Sequence, residues 1–203
     1  MKRILPALLL LSGCWHNVDG GPEVSDTRSL NSFSKIRVEN GITIHFTPGE
    51  TNEVEISTQQ KVLENLQTDV KGDTLTVRLK PGVKVSSLEW TDVNVTGPSV
   101  FELNASEGSS IVAANLKDDV TLAAGGGSHI ESTGAVASLH IQASGGSTVK
   151  ATAQNVYLDA SGGSEVELTA SSVTGEASGG SSITVSAGAD LTGLILSGGS
   201  EVH

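Results

Sequence analysis

Cysteine is almost missing from this sequence: Cys14 is the only one, so no intramolecular disulfide can hold the fold together. Aromatic rings are scarce too, with three Phe, two Trp and one Tyr, and Trp15, Phe33 and Phe46 all precede residue 47. On that count, sugar recognition by ring stacking lacks material. Basic residues are few. Twelve Lys and Arg stand against 23 Asp and Glu, a net charge of −11 that falls to −13 once Lys2 and Arg3 leave with the leader described below. Phosphate binding needs clustered cations, so a nucleic-acid partner is excluded. After Phe101 the only cations are Lys117 and Lys150, which argues against the cleft of a polysaccharide lyase within the alternative reading, a carbohydrate-active or polysaccharide-binding β-helix protein of the envelope. Proline, at five residues, is rare enough to leave long segments free for regular pairing.

What is present is glycine, 24 residues of it, together with many Val, Ile and Thr, in a chain of 203 residues with 37% hydrophobic content. That length and composition suit one compact domain of short strands joined by glycine turns. The first residues, MKRILPALLLLSGC, join two cations to an apolar run from Ile4 to Leu11. The run has the build of a secretory signal and is too short to span a bilayer as a mature helix. Leu11-Ser12-Gly13-Cys14 resembles the bacterial lipobox, in which the cysteine thiol is lipidated and becomes the new N-terminus. The expectation is a signal peptide over 1–13 and an acylated Cys14 that anchors the chain to a membrane, since two or three acyl chains hold where one does not. Trp15 rather than Asp follows the cysteine, which favours the outer membrane or cell surface. Residues 14–32 show no sustained hydrophobic period and read as the lipidated Cys and a flexible tether.

The C-terminal half repeats. Ser109, Ser128, Ser147, Ser164, Ser181 and Ser200 each close a four-residue motif (SEGS, GGGS, then SGGS), at steps of 19, 19, 17, 17 and 19 residues. Two residues after each stands Ile111, Ile130, Val149, Val166, Ile183 or Val202, always β-branched. Before the motif, Leu103, Leu122, Ile141, Leu158, Gly175 and Leu194 form one column and Ala105, Ala124, Ala143, Ala160, Ala177 and Leu196 another. A third runs Phe101, Val120, Leu139, Val156, Val173 and Thr192. These columns alternate with polar positions, the period of a strand with one buried face. The pattern predicts an all-β parallel β-helix, a solenoid with coils of about 17–19 residues whose aliphatic side chains stack coil on coil and whose motif is the corner. The head domain is expected over 33–203, irregular over 33–98 and regular over 99–203. In the irregular part KIRVEN, ITIHFTPG, NEVEIST, DTLTVRLKPG and TDVNVTGP alternate like degenerate coils or a strand cap, and TQQKVLENLQ has the spacing of a short helical turn.

The order FSKIRVENGITIHFTPGE, GDTLTVRLK and then repeated ASGGS resembles the head-GIN-domain family of adhesin-like bacterial lipoproteins, over about Phe33 to His203. The resemblance implies a right-handed β-helix on the cell envelope and brings no catalytic residues with it. A contiguous Gly-Ile-Asn string is absent; Asn40-Gly41-Ile42 comes nearest.

Candidate chemistry sits on the outward positions beside the ladder: Ser110, His129, Thr148, Glu165, Ser182 and Glu201, with Val112, Glu131, Lys150, Glu167, Thr184 and His203 two residues on. His129, Glu131, Lys150, Glu165, Glu167 and Glu201 are the candidate binding face; the plainer alternative is the solvated side of a sheet. Calcium-binding β-rolls need a repeated acidic ligand after the glycines, which is missing here. The histidines have no third partner for zinc, and the serines have no histidine at a repeated offset for nucleophilic catalysis. No cofactor and no metal is expected. The expected function is non-catalytic: presentation of a rigid surface to an envelope or extracellular partner. Val202 stays in register at the end of the last coil, so contacts between copies are a further expectation.

Overall fold

The computed structural model of the chain describes residues 16–18, 20–85, 88 and 91–203, so the expected signal peptide and Cys14 lie outside the described residues. Its strands are β1 (His16–Val18), β2 (Glu23–Ser29), β3 (Lys35–Val38), β4 (Thr43–Pro48), β5 (Glu53–Gln59), β6 (Leu66–Lys71), β7 (Thr74–Leu79), β8 (Val83–Val85) and β9 (Asp92–Gly97) in the first half. The second half holds β10 (Glu102–Ala105), β11 (Ser110–Ala124), β12 (His129–Ala143), β13 (Thr148–Ala160), β14 (Glu165–Thr169), β15 (Ser172–Ala177), β16 (Ser182–Val185), β17 (Asp190–Leu196) and β18 (Glu201–Val202). Among the described residues the single helix, α1 (Gln60–Leu63), is one turn, as its spacing suggests.

Two parallel stacks build a β-solenoid. Strands entering the corner stack as β7, β3, β10, β11, β12, β13, β15 and β17. Strands leaving it stack as β9, β4, β11, β12, β13, β14, β16 and β18. Strands β11, β12 and β13 belong to both because each continues round the far bend. Parallel pairing superimposes equal positions, so the β-branched column becomes one interior ladder: Val93, Ile44, Ile111, Ile130, Val149, Val166 and Ile183, all 0% exposed. A second ladder runs Leu75, Ile36, Leu103, Leu122, Ile141 and Leu158. It breaks at Gly175, whose φ is +114° and where an added Cβ would lie 2.1 Å from the Leu158 carbonyl oxygen. Only glycine lets the two backbones come that close.

The corner has one geometry throughout. Two consecutive residues take left-handed φ at Asn40-Gly41, Glu107-Gly108, Gly126-Gly127, Gly145-Gly146, Gly162-Gly163, Gly179-Gly180 and Gly198-Gly199. That conformation is costly for a residue with a Cβ, which is why glycine recurs. The buried serine after it bonds to the corner's backbone. Ser128, Ser164 and Ser181 Oγ donate to the carbonyls of Gly125, Ser161 and Ser178 at 2.7–2.8 Å, and Ser147 Oγ donates to Ala124 O at 2.9 Å. These hydroxyls are spent on architecture.

Two departures from expectation stand out. Much of the expected tether is strand: β1 pairs parallel with β8, and residues 23–29 form β2, which pairs antiparallel with β5 along its whole length. Its sequence, EVSDTRS, holds one aliphatic residue because an outer edge strand buries little. Phe101, expected in an interior column, is 46% exposed, and Val100 takes the buried place beside it. The two ends of the solenoid also differ. Strands β6 and β5 pair antiparallel to β7 and β9 and close the N-terminal end against further parallel stacking. The last coil keeps Leu191, Leu194 and Val202 only partly buried, and Ile195 is 62% exposed.

Candidate binding faces

Corner and ladder geometry fixes two outer faces, one on each stack. On the leaving stack Thr43, Ser110, His129, Thr148, Glu165, Ser182 and Glu201 form one outward row. His45, Val112, Glu131, Lys150, Glu167 and Thr184 form the next. The six candidate residues therefore share one face: Glu131, Lys150 and Glu167 adjoin in one row, His129 and Glu165 lie in the other, and Glu201 falls on the last coil. Lys150 Nζ meets Glu167 Oε1 at 3.0 Å. That bond and charge, with Glu131 adding to them, hold the ammonium pKa above its ordinary value. The cation is thus shared between two carboxylates, and the face presents net negative charge. His203 and Glu201 approach at 3.7 Å at the end of this face. His140 stands on the other stack, so His129 and His140 are not brought together. Among the described residues no group of three or more metal-ligating side chains converges.

The entering stack carries a feature that counting aromatic residues missed. Its outward row runs Glu102, Thr121, His140, Tyr157 and Thr174. A parallel row, Asp119, Ser138, Asn155 and Ser172, lies two residues upstream in each coil. Between the rows runs an open groove of about 690 Å³, with Phe101 at one end and the buried Val120, Leu139 and Val156 beneath. Tyr157 is 51% exposed, and its ring centroid lies 4.9 Å from that of His140 at an interplanar angle of 60°. The Lys35 ammonium sits 5.3 Å from the centre of the Phe101 ring, held there by Asp73 and Glu102 at 3.6 and 3.4 Å. Two of the rings of the sequence and one imidazole are thus gathered: the coil period places His140 and Tyr157 on neighbouring strands and Phe101 on the same groove. The offset that reveals this was available, since His140 and Tyr157 each stand four residues before an SGGS motif.

These features define a parallel β-solenoid capped by antiparallel strands at its N-terminal end, with its polar rows turned outward. A family model described as "Putative auto-transporter adhesin, head GIN domain" matches residues 32–203, and the chain belongs to that family. A search of curated proteins returns no match. Among solved structures, the chain is similar to a "putative adhesin" from Bacteroides fragilis, with a TM-score of 0.66 and 17% identity over 89% of this chain and 95% of that one. It is similar to a "putative adhesin" from Parabacteroides merdae, with a TM-score of 0.64 and 16% identity over 92% and 98% of the two chains. A "putative lipid binding protein" from Parabacteroides distasonis gives a TM-score of 0.63 and 13% identity over 92% and 98%. At these identities the likeness is one of fold.

Proposed function

We propose that this protein is a lipid-anchored component of the cell envelope that presents its solenoid as a rigid, non-catalytic adhesive surface. Membership of the adhesin-like family supports the envelope setting, and the lipobox-like Leu11–Cys14 supplies the anchor. The observation that carries the reading is the continuity of the outward rows from Thr43 to Glu201, coil after coil, over a fully packed interior. A solenoid of this kind makes a long surface from local contacts and holds it stiff. The side chains on that surface are mainly hydroxyls and carboxylates, with His45, His129, Val112 and Lys150 among them, suited to contact rather than to a reaction.

The test is attachment. Cells lacking the chain, cells with the native chain and cells with Cys14→Ser are compared for adhesion to surfaces and to other cells, with acyl incorporation followed by a clickable palmitate analogue. Loss of label and of attachment with Cys14→Ser is expected. Attachment that does not change when the chain is deleted contradicts the reading.

A further inference from the structure

We propose that the groove between Phe101 and Thr174 is a binding site for a linear, uncharged glycan lying along the solenoid axis. The inference deepens the adhesin reading and rests on it for its biological setting. The groove crosses four successive strands, β11, β12, β13 and β15, and ends at Phe101 just before β10, so it runs along the stacking axis. Neighbouring strands are ~4.8 Å apart, close to the advance of one sugar unit in an extended β-linked chain, so each coil can meet one unit with the same pair of rows. Along one row Tyr157 and His140 present ring surface, and Phe101 closes the end with its ring steadied by Lys35. Along the other stand short polar groups. Asn155 Oδ1 accepts from Ser172 Oγ at 2.9 Å, fixing the amide. Among the described residues, the hydroxyls of Thr121, Ser138 and Tyr157 and the carboxylate of Asp119 have no intramolecular hydrogen-bond partner and line the groove. A sugar ring has the matching character, with an apolar C–H face for the aromatic row and hydroxyl edges for the polar one.

Other ligand classes fit less well. The groove contains no cation, its one charged lining residue is Asp119, and the chain carries net charge −11, so polyanionic glycans and anionic lipid headgroups are repelled. A peptide strand has no edge to add to, because β11, β12 and β13 are paired on both sides.

The full-length chain in a zwitterionic detergent is titrated with cellohexaose, chitohexaose and mannohexaose by saturation-transfer NMR, alongside polygalacturonate and anionic vesicles. At least one neutral hexasaccharide is expected to bind, more tightly than its disaccharide. Phe101→Ala and Tyr157→Ala are each expected to weaken it roughly 2- to 10-fold with unchanged melting, because both side chains are exposed; Glu50→Ala, at an exposed position outside the groove, leaves affinity unchanged. No binding of any of the three at millimolar concentration overturns the proposal, as does equal binding by the Phe101→Ala/Tyr157→Ala double variant or a preference for polygalacturonate or vesicles. Attachment of chain-deleted cells is measured in parallel. Attachment lost on deletion with no glycan bound overturns the glycan site and leaves the adhesin reading standing. A bound glycan with attachment unaffected by deletion supports the site and contradicts that reading.

Discussion

The first coil and the later ones turn the same corner with different residues. In the first, Val38 leads to Glu39-Asn40-Gly41-Ile42 and then Thr43; in the second, Ala105 leads to Ser106-Glu107-Gly108-Ser109 and then Ser110, in register at both ends. Both pass through two left-handed residues, at φ 66° and 74° in one and 57° and 73° in the other. Asn40 bears its unfavourable φ with help: its Oδ1 accepts the Leu79 N–H at 3.0 Å, and its amide donates to Glu107. The inward position is filled by buried Ile42 in the first coil and by buried serine from Ser109 to Ser181 afterwards. Gly41 N–H donates to Ser109 Oγ at 3.0 Å, so the two solutions interlock. The backbone of the corner is therefore the conserved requirement within this molecule. Near the antiparallel cap an aliphatic side chain fills the inward space; in the regular stack a hydroxyl satisfies corner carbonyls instead.

The comparison can be broken in graded ways. Ile141→Asp, a charge in the ladder common to the regular coils, is expected to cost more than about 5 kcal/mol and to abolish cooperative unfolding; Thr184→Asp on an exposed position is tolerated, and calorimetry of the pair is the check. Ile42→Ser, which writes the repeat's corner into the first coil, is expected to cost about 2–4 kcal/mol in chemical denaturation, because the site lacks the packing of a serine corner. Within one corner the two glycines are unequal. A Cβ on Gly179 would lie 2.9 Å from Gly162 N, whereas one on Gly180 meets nothing within 4 Å. Gly179→Ala should therefore cost about 2–3 kcal/mol and Gly180→Ala about 1, the left-handed penalty alone. Two buried serines should differ in sign. Ser164→Ala loses about 1 kcal/mol with its bond to Ser161, while Ser132, buried with an unpartnered Oγ, should gain up to about 1 kcal/mol as alanine. The smallest effect is acid fraying of the last coil. The Thr192 backbone N–H, 3.0 Å from Asp190 Oδ1, holds that carboxyl below its ordinary 3.8. A lowered pKa contributes stability above pH 3.8 that is lost as pH falls through the folded value, so amide exchange in β17 should rise first below that pH.

Much of this architecture could be read from the sequence because parallel stacking repeats the same demand in every coil. The column Ile111, Ile130, Val149, Val166 and Ile183 is visible since each member meets its equivalent above and below, and one exception would leave a void in a shared ladder. Strand β2 was hidden because an edge strand paired on one side needs no aliphatic alternation. Phe101 misled because the four residues before β10 shift Val100 into the core, a local slip that a column count carries forward as if it were register. The groove was hidden for a different reason: its rings are individually exposed, so no burial pattern marks them, and only superposing coils shows that His140 and Tyr157 adjoin. The expected acidic face on the leaving stack needed no such step, as its residues follow the glycine motif directly.

The central claim is that the glycine-serine corners build the solenoid while recognition lies on its outer rows. A single titration of neutral hexasaccharide, read together with melting temperature, in Ser164→Ala and Tyr157→Ala tests it most directly. The account requires Ser164→Ala to melt lower and bind as the native chain does, and Tyr157→Ala to melt as the native chain does and bind more weakly. Binding lost with the corner serine at unchanged melting, or retained in full without the tyrosine, contradicts it.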